Sequence, residues 1–342
     1  MTIEEQVPLA PRTTFRIGGP ARFFARARTR EELAEALRFA AARQLPLLPL
    51  GGGSNVLVAD GGFPGLVASI ELRGVSFTDC GGKVVAVTAA AGESWDGLVA
   101  ESVHRGLYGI ENLSGIPGTV GAAPIQNIGA YGAEVADVIA SVEAMDMRSG
   151  ARVSFLPGDC AFGYRDSFFK TPAGGNFIIT AVTFQLSAQG APNIEYRDIR
   201  EYIAAAGITA PSLAEIREAV LAIRSRKFPD LKAAGTAGSF FKNPVVTGEE
   251  CVRLTRLFPG LPSFPLSGGK HKIALGWLLE RLGWKGVRRG AAGVFERQAL
   301  VLVNYGGATA AEVAALAAGI THDVKKKTNL TIAPEIVYVG GA

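Results

Sequence analysis

The segment from Ser114 to Val135, SGIPGTVGAAPIQNIGAYGAEV, limits what this chain can fold into more than any other stretch: it carries no charge before Glu134 and is dense in glycine without being repetitive. A helix would be weakened by so many glycines, and a flexible linker would not be this apolar. Its glycines permit close backbone approach and its prolines fix direction. Gln126 and Asn127 supply amides that both donate and accept. Such a composition predicts a loop wrapped around a bound polar ligand.

The chain around that loop has 342 residues, about two average domains, and is 48% apolar, enough for cores of ordinary size. Its net charge of +4 is not gathered into a basic stripe, so nucleic acid is not implied, while a local positive pocket for an anionic substrate fits. The run Lys325 to Lys327 reads as a solvated helix end. Cys80, Cys160 and Cys251 are widely spaced with no CxxC or Cys/His pattern, which argues against a disulfide framework or a zinc site and fits a reducing compartment. MTIEEQVPLAP is acidic and lacks an apolar signal core, and no run of about 18 apolar residues is present. The expectation is a cytoplasmic protein with no membrane and no obligate protein partner.

Thr29 and Glu32 form a capping box ahead of Leu33 and Leu37, predicting a helix to about Arg43 that Pro46 closes. Leu45 to Leu50 reads as a buried strand, GGGSN as a turn, and Val56 as the start of another extended run. Further β runs are expected at 65–72, 84–90, 141–147, 152–156 and 177–186, with a helix over 95–105. Pro211, Ser212 and Glu215 start a helix with Leu213, Ile216, Val220 and Ile223 on its apolar face, which places a boundary near residue 210. Beyond it a helix is predicted over 273–282, stopped by Gly283, then a strand over 299–304 and a helix capped by Thr309 and Glu312. The terminal run TIAPEIVYVG is a strand that can return to an earlier sheet. The class is α+β.

GGGSN puts three glycines at a strand end, where successive backbone N–H groups can face a phosphate and Ser54 and Asn55 add donors. It lacks GxGxxG spacing and no helix follows, which speaks against a Rossmann dinucleotide site. Alone it reads equally as a tight turn. Paired with the loop at 114–132, it suits one pyrophosphate held between two sets of backbone donors.

TTFRIGGPA near Thr14, LGGGSNVLV, GIENLSGIPGTVGAAPIQNIGAYG, FGYRDSFFK, AGSFFKNP and the terminal APEI occur in one order over nearly the whole chain. In them the chain resembles the UDP-N-acetylenolpyruvoylglucosamine reductase family. The resemblance implies an NADPH- and FAD-dependent enzyme of peptidoglycan precursor synthesis acting on a UDP-sugar, with no covalent flavin attachment. It also implies a flavin-binding half of the vanillyl-alcohol-oxidase type in two α+β subdomains, taken as 1–75 and 76–210, and a substrate-binding domain over 211–342 whose last strand can return to the first. The two loops then become walls of an FAD site: Gly51, Gly52, Gly53, Ser54 and Asn55 on one side, and Ser114, Gly115, Ile116, Pro117, Gly118 and Gly121 on the other. Gln126, Asn127, Gly129 and Ala130 continue the second wall.

The family's reaction needs a hydride donor, a stabiliser for a developing enolate and a proton donor. By resemblance Arg165, in GYRDS, neutralises the growing charge, Ser239, in AGSFFKNP, gives the proton, and Glu335, in APEI, helps polarise the substrate. A serine is a weak acid, so its acceptor must be very basic, and Lys242 or Lys227 would lower its effective pKa. A charged Glu335 in an apolar run requires a partner or a polar cleft. Tyr131, Tyr196, Arg224, Lys227 and Asn243 are the expected substrate contacts, and EYRDI resembles the mobile tyrosine loop of one subclass. Arg224, Arg226, Lys227, Lys232 and Lys242 suit a diphosphate, although each also reads as a solvated helix end. Val337 stands where some members carry arginine, and a glycine of GGGSN where others carry glutamate. An oxidase of the same superfamily and a sugar-nucleotide binding protein without activity remain as alternatives. Rapid reaction with oxygen would mark the first, and absence of a flavin spectrum the second.

Overall fold

The computed structural model describes residues 1–341. The chain divides into two compact units: Met1–Val7, Ala21–Gly52 and Pro64–Ser225 form one, and Pro8–Pro20, Gly53–Phe63 and the chain from Arg226 onward form the other.

Besides a two-stranded ribbon, Gly129–Ala130 with Ala133–Glu134, the first unit holds two main sheets. In the smaller the strands follow the order Ile3–Pro8, Pro20–Ala27, Phe63–Ile70, Leu47–Leu50, the last two running parallel. Helix α1, Arg30–Ala42, buries Leu33, Ala36, Leu37 and Ala40, and the expected Thr29/Glu32 capping box is formed, a feature worth about 1 kcal/mol. The larger sheet has the order Arg152–Phe155, Ile139–Asp146, Phe177–Ser187, Val84–Ala90, Val75–Asp79, with antiparallel pairing throughout. Its centre is Phe177–Ser187, a run rich in apolar and β-branched residues that is buried along most of its length. Helix α2, Trp95–His104, starts at an N-cap Ser94 and seats Trp95 edge-on against Phe184. The buried indole donates to the Leu113 carbonyl at 2.9 Å, which anchors the start of the glycine-rich segment to this core. Helices α3, Arg197–Ala205, and α4, Leu213–Lys227, pack through Ile199, Ile203, Ile216, Val220 and Ile223 against Tyr131.

The second unit collects Phe15, Ile17 and Leu57 from the early segments with Phe240, Phe241, Leu254, Leu278, Val313 and Ile320 in one core. Helices α5, Gly248–Leu257, α6, Leu275–Arg281, and α7, Ala310–Thr328, surround it. The Asp60 carboxylate accepts from Ala310 N at 2.7 Å and Ala311 N at 3.0 Å, which satisfies the start of α7 alongside the Thr309/Glu312 box. Lys325 to Lys327 lie in its last turn, where the macrodipole favours cations. Val337–Val339 pairs in parallel with Val56–Val58, so the last strand does return to an early segment.

The helix expected over 273–282 is present as Leu275–Arg281, preceded by a strand, Lys270–Ile273, that pairs on both sides with Val245–Thr247 and Ser263–Pro265. The expected boundary near 210 is not where the chain divides: the apolar face of α4 is buried in the first unit, and the division falls after Ser225. No expectation covered the strands Ile3–Pro8 and Pro20–Ala27 or helices α3 and α5: apolar positions are few in Ile3–Pro8, and Pro20–Ala27 buries Ala21, Phe24, Ala25 and Ala27 without strict alternation. The α+β class stands.

Candidate active site

In the first unit the two glycine loops meet backbone to backbone. A Cβ added at Gly52 would stand 2.9 Å from the Cα of Gly118, and one at Gly51 would stand 2.5 Å from Thr119 Oγ1. Side chains there would force the loops apart. The second loop is fixed by Trp95 N donating to Gly118 O, Val120 N to Glu93 O and Gly121 N to Ala91 O. The Ser114 hydroxyl donates to Glu111 O at 2.6 Å, so that side chain serves the loop's own geometry. Backbones this close, with no side chain at Gly51, Gly52 or Gly118, fit a phosphate-bearing cofactor.

Gly115 has a φ of +70°, and a Cβ added to it would lie 2.7 Å from Leu221 Cδ2 and 3.2 Å from Arg224 Cδ. Its N–H donates to Asp96 Oδ1 at 2.6 Å and its carbonyl accepts from Arg224 Nε at 3.0 Å. Arg217 forks onto the same carboxylate, 2.6 Å to Oδ1 and 2.9 Å to Oδ2. Burial would raise the Asp96 pKa, but bonding from Arg217 and Gly115 outweighs it and holds the carboxyl below its ordinary value. Arg217, Leu221 and Arg224 fall at i, i+4 and i+7, one face of α4. Asp96 and Arg217 were missed in the sequence. The spacing was visible, but nothing in it marks the partner of an arginine face.

Asn127, Tyr131 and Arg165 all have φ in the left-handed region, at 44°, 50° and 53°. Conformations of this kind persist where the surroundings over-determine them. The Arg165 guanidinium donates to Asn127 O at 3.3 Å and to Gly129 O, and the Arg165 carbonyl accepts from Lys170 Nζ at 3.1 Å. The buried Asn127 amide braces the loop: its Nδ2 donates to Glu134 Oε2 and Gly163 O and its Oδ1 accepts from Ala136 N. Asn112, also missed, donates to Tyr131 O at 2.8 Å and Asn193 O at 3.0 Å.

Tyr196 is the N-cap residue of α3, at the end of an irregular stretch, and its ring meets Tyr131 edge-on at 5.3 Å. Burial pushes the Tyr131 phenol up to about 12, against the pull of Arg224, which bonds to it. Burial likewise lowers the Arg224 pKa, opposed by Tyr131 and Asp96. Tyr131, Tyr196, Arg224 and the glycine loop therefore form one connected group within the first unit.

Ser239 and Glu335 lie in the second unit with Asn55, Lys227 and Asn243. Ser239 is half-buried, follows Gly238, and forms a bridge with Val301. On the other side of the same short strip Glu335 N donates to Phe240 O at 2.8 Å and Lys242 N to Ala333 O at 3.0 Å. Asn55 joins it: its Nδ2 donates to Glu335 O at 3.3 Å and its carbonyl accepts from Val337 N at 2.9 Å. Asn243 Oδ1 accepts from Leu275 N at 3.0 Å, capping α6. GGGSN thus contributes to both units, its first two glycines to one and Gly53, Ser54 and Asn55 to the other. Gly53 is pressed on Arg12, whose carbonyl would lie 2.2 Å from an added Cβ. Among the described residues no group of three His, Cys, Asp or Glu side chains is placed to hold a metal ion, and no helix is long and apolar enough to cross a membrane.

Known proteins match the chain in two stretches and over its length. Residues 21–155 match the model of an FAD binding domain, and residues 230–339 that of the C-terminal domain of UDP-N-acetylenolpyruvoylglucosamine reductase. The chain is 45% identical over 340 residues to the UDP-N-acetylenolpyruvoylglucosamine reductase of Ralstonia nicotianae, covering 98% of this chain and 99% of that one. It is 43% identical over 335 residues to the protein of that name in Pseudomonas aeruginosa, covering 98% of each. Among solved structures, that of UDP-N-acetylenolpyruvylglucosamine reductase from Thermus caldophilus superimposes with a TM-score of 0.69 at 28% identity, over 99% of this chain and 100% of that one.

Proposed function

This chain belongs to the UDP-N-acetylenolpyruvoylglucosamine reductase family, and we propose that it reduces UDP-N-acetyl-3-O-(1-carboxyvinyl)glucosamine to UDP-N-acetylmuramate in peptidoglycan precursor synthesis, with NADPH as donor. The observation that carries the reading is the strip on which Ser239 and Glu335 are joined through Phe240. A weak acid and a carboxylate held on adjacent backbones suit one proton transfer to a strongly basic carbon.

FAD would be held non-covalently by the glycine loops, Gly51 to Asn55 and Ser114 to Gly118, and when bound would carry hydride from NADPH to the enolpyruvyl methylene carbon. As the hydride's electron pair forms the new C–H bond, the π pair of the C=C bond shifts to the adjacent carbon, which gains enolate character with its carboxylate. Arg165, held by the carbonyls of Asn127 and Gly129 and so unable to swing away, stabilises that charge. The Ser239 hydroxyl gives its proton to the enolate carbon, and solvent restores the hydroxyl. Glu335, whose backbone N–H donates to Phe240 O, supplies the carboxylate that polarises the enol ether. Tyr131, Tyr196, Arg224, Lys227 and Asn243 take the nucleotide sugar, the two cations opposite the diphosphate.

Stopped-flow absorbance of the two half-reactions tests this. Ser239→Ala is expected to leave bleaching of the flavin by NADPH near normal and to slow reoxidation by the enolpyruvyl substrate about 10²–10⁴-fold, the usual worth of a positioned acid. Reoxidation at the normal rate would remove Ser239 from the role. Failure of the wild-type protein to bleach with NADPH would remove the reductase reading.

A further inference from the structure

The peptide at Gly115 is held from both ends by opposite charges. Its N–H, whose direction follows φ, points at Asp96, and its carbonyl, whose direction follows ψ, points at Arg224. Arg224 bonds onward to the Tyr131 phenol, while Arg217 neutralises Asp96 with a two-pronged contact. A salt bridge that merely tied α2 to α4 would need Arg217 alone. Here Oδ1 of Asp96 accepts from both Arg217 and the glycine loop.

We propose that Asp96 is a positioning residue: its carboxylate registers Gly115 against Arg224, so that the loop offered to the cofactor and the side chains offered to the sugar nucleotide are set by one group. This rests on the reductase reading. The carboxylate holds the loop in its left-handed turn, and the loop's carbonyl aims the guanidinium. Loss of Asp96 frees φ at Gly115, turns the carbonyl and releases Arg224 from its fixed direction.

The charge swap Asp96→Arg with Arg217→Asp separates positioning from tying. It keeps an ion pair between α2 and α4, but an arginine at 96 has no acceptor for the Gly115 N–H and repels Arg224. The expected result is a melting temperature close to wild type, FAD affinity weakened about tenfold in fluorescence titration of apoprotein, and a KM for the enolpyruvyl sugar nucleotide raised about tenfold. At saturating FAD, kcat should stay within about threefold. Asp96→Asn, which keeps an acceptor but loses the charge, is expected to fold as wild type and to raise the same KM. Recovery of both FAD affinity and KM in the swap would overturn the proposal, as would an Asp96→Asn protein with wild-type values. Changes that merely track a fall in melting temperature would overturn it too. Failure of the wild-type protein to bind FAD in the same titration would instead count against the reductase reading.

Discussion

Tyr131, which the proposed chemistry uses, has a side chain strongly perturbed by burial. Its phenol is bonded to Arg224 and buried, and burial dominates, raising the pKa from 10.0 to about 12. The folded chain therefore keeps this proton after the unfolded chain has lost it. Its contribution to stability is complete below pH 10 and is lost as pH climbs from 10 to about 12. In an ultraviolet titration one of the seven tyrosines should ionise near the end of that window, and Tyr131→Phe should delete that late component. A late component that survives the substitution belongs to another ring. Gly115 permits a second residue-level test. Gly115→Ala meets a left-handed φ and a Cβ position 2.7 Å from Leu221, so about 1–3 kcal/mol of stability should be lost in urea unfolding, with FAD affinity falling alongside. Unchanged unfolding midpoints would mean the loop relaxes freely.

Elements explain what was readable before the structure. The Thr29/Glu32 and Thr309/Glu312 boxes, α2 and the strands over 84–90 and 177–187 lie where local signals put them, because capping and β-branched runs act within a few residues. No local signal marks Lys270–Ile273, because its alternation is short and one of its two pairing partners, Val245–Thr247, lies much earlier in the chain. The site was legible only in part for the same reason. The glycine loops and the strip AGSFFKNP announced themselves by composition and resemblance, whereas Asp96, Arg217 and Asn112 act through partners 19 to 121 residues away. Asn243 shows how an element and a site share a residue. It is proposed to meet the substrate, and it also caps α6 through Leu275 N. Asn243→Ala should cost about 0.5–2 kcal/mol of stability and raise KM, while Asn243→Asp keeps the acceptor and should recover the stability alone. Recovery of KM as well would assign Asn243 to the helix only.

On the scale of the molecule, the chain passes between units five times, at residues 7/8, 20/21, 52/53, 63/64 and 225/226. The second unit is consequently not a C-terminal domain in the sense of a detachable piece. Its core needs Phe15, Ile17 and Leu57, each no more than 3% exposed, from segments early in the chain. Its backbone needs them as well: Thr236 N donates to Thr14 O, Asn304 Nδ2 to Phe15 O, Val337 N to Asn55 O and Ala59 N to Val339 O. At about 1.5–3 kcal/mol for each large apolar side chain, withholding the three removes roughly 5–9 kcal/mol, before any unpaired backbone group is counted. That is as large as the whole stability of an ordinary domain, about 5–15 kcal/mol. A fragment of residues 226–342, although it contains the entire match to the family's C-terminal domain, should therefore show a collapsed amide spectrum and no cooperative thermal transition. A dispersed spectrum with a sharp transition from this fragment would show that the early segments are accessories to a core that closes without them.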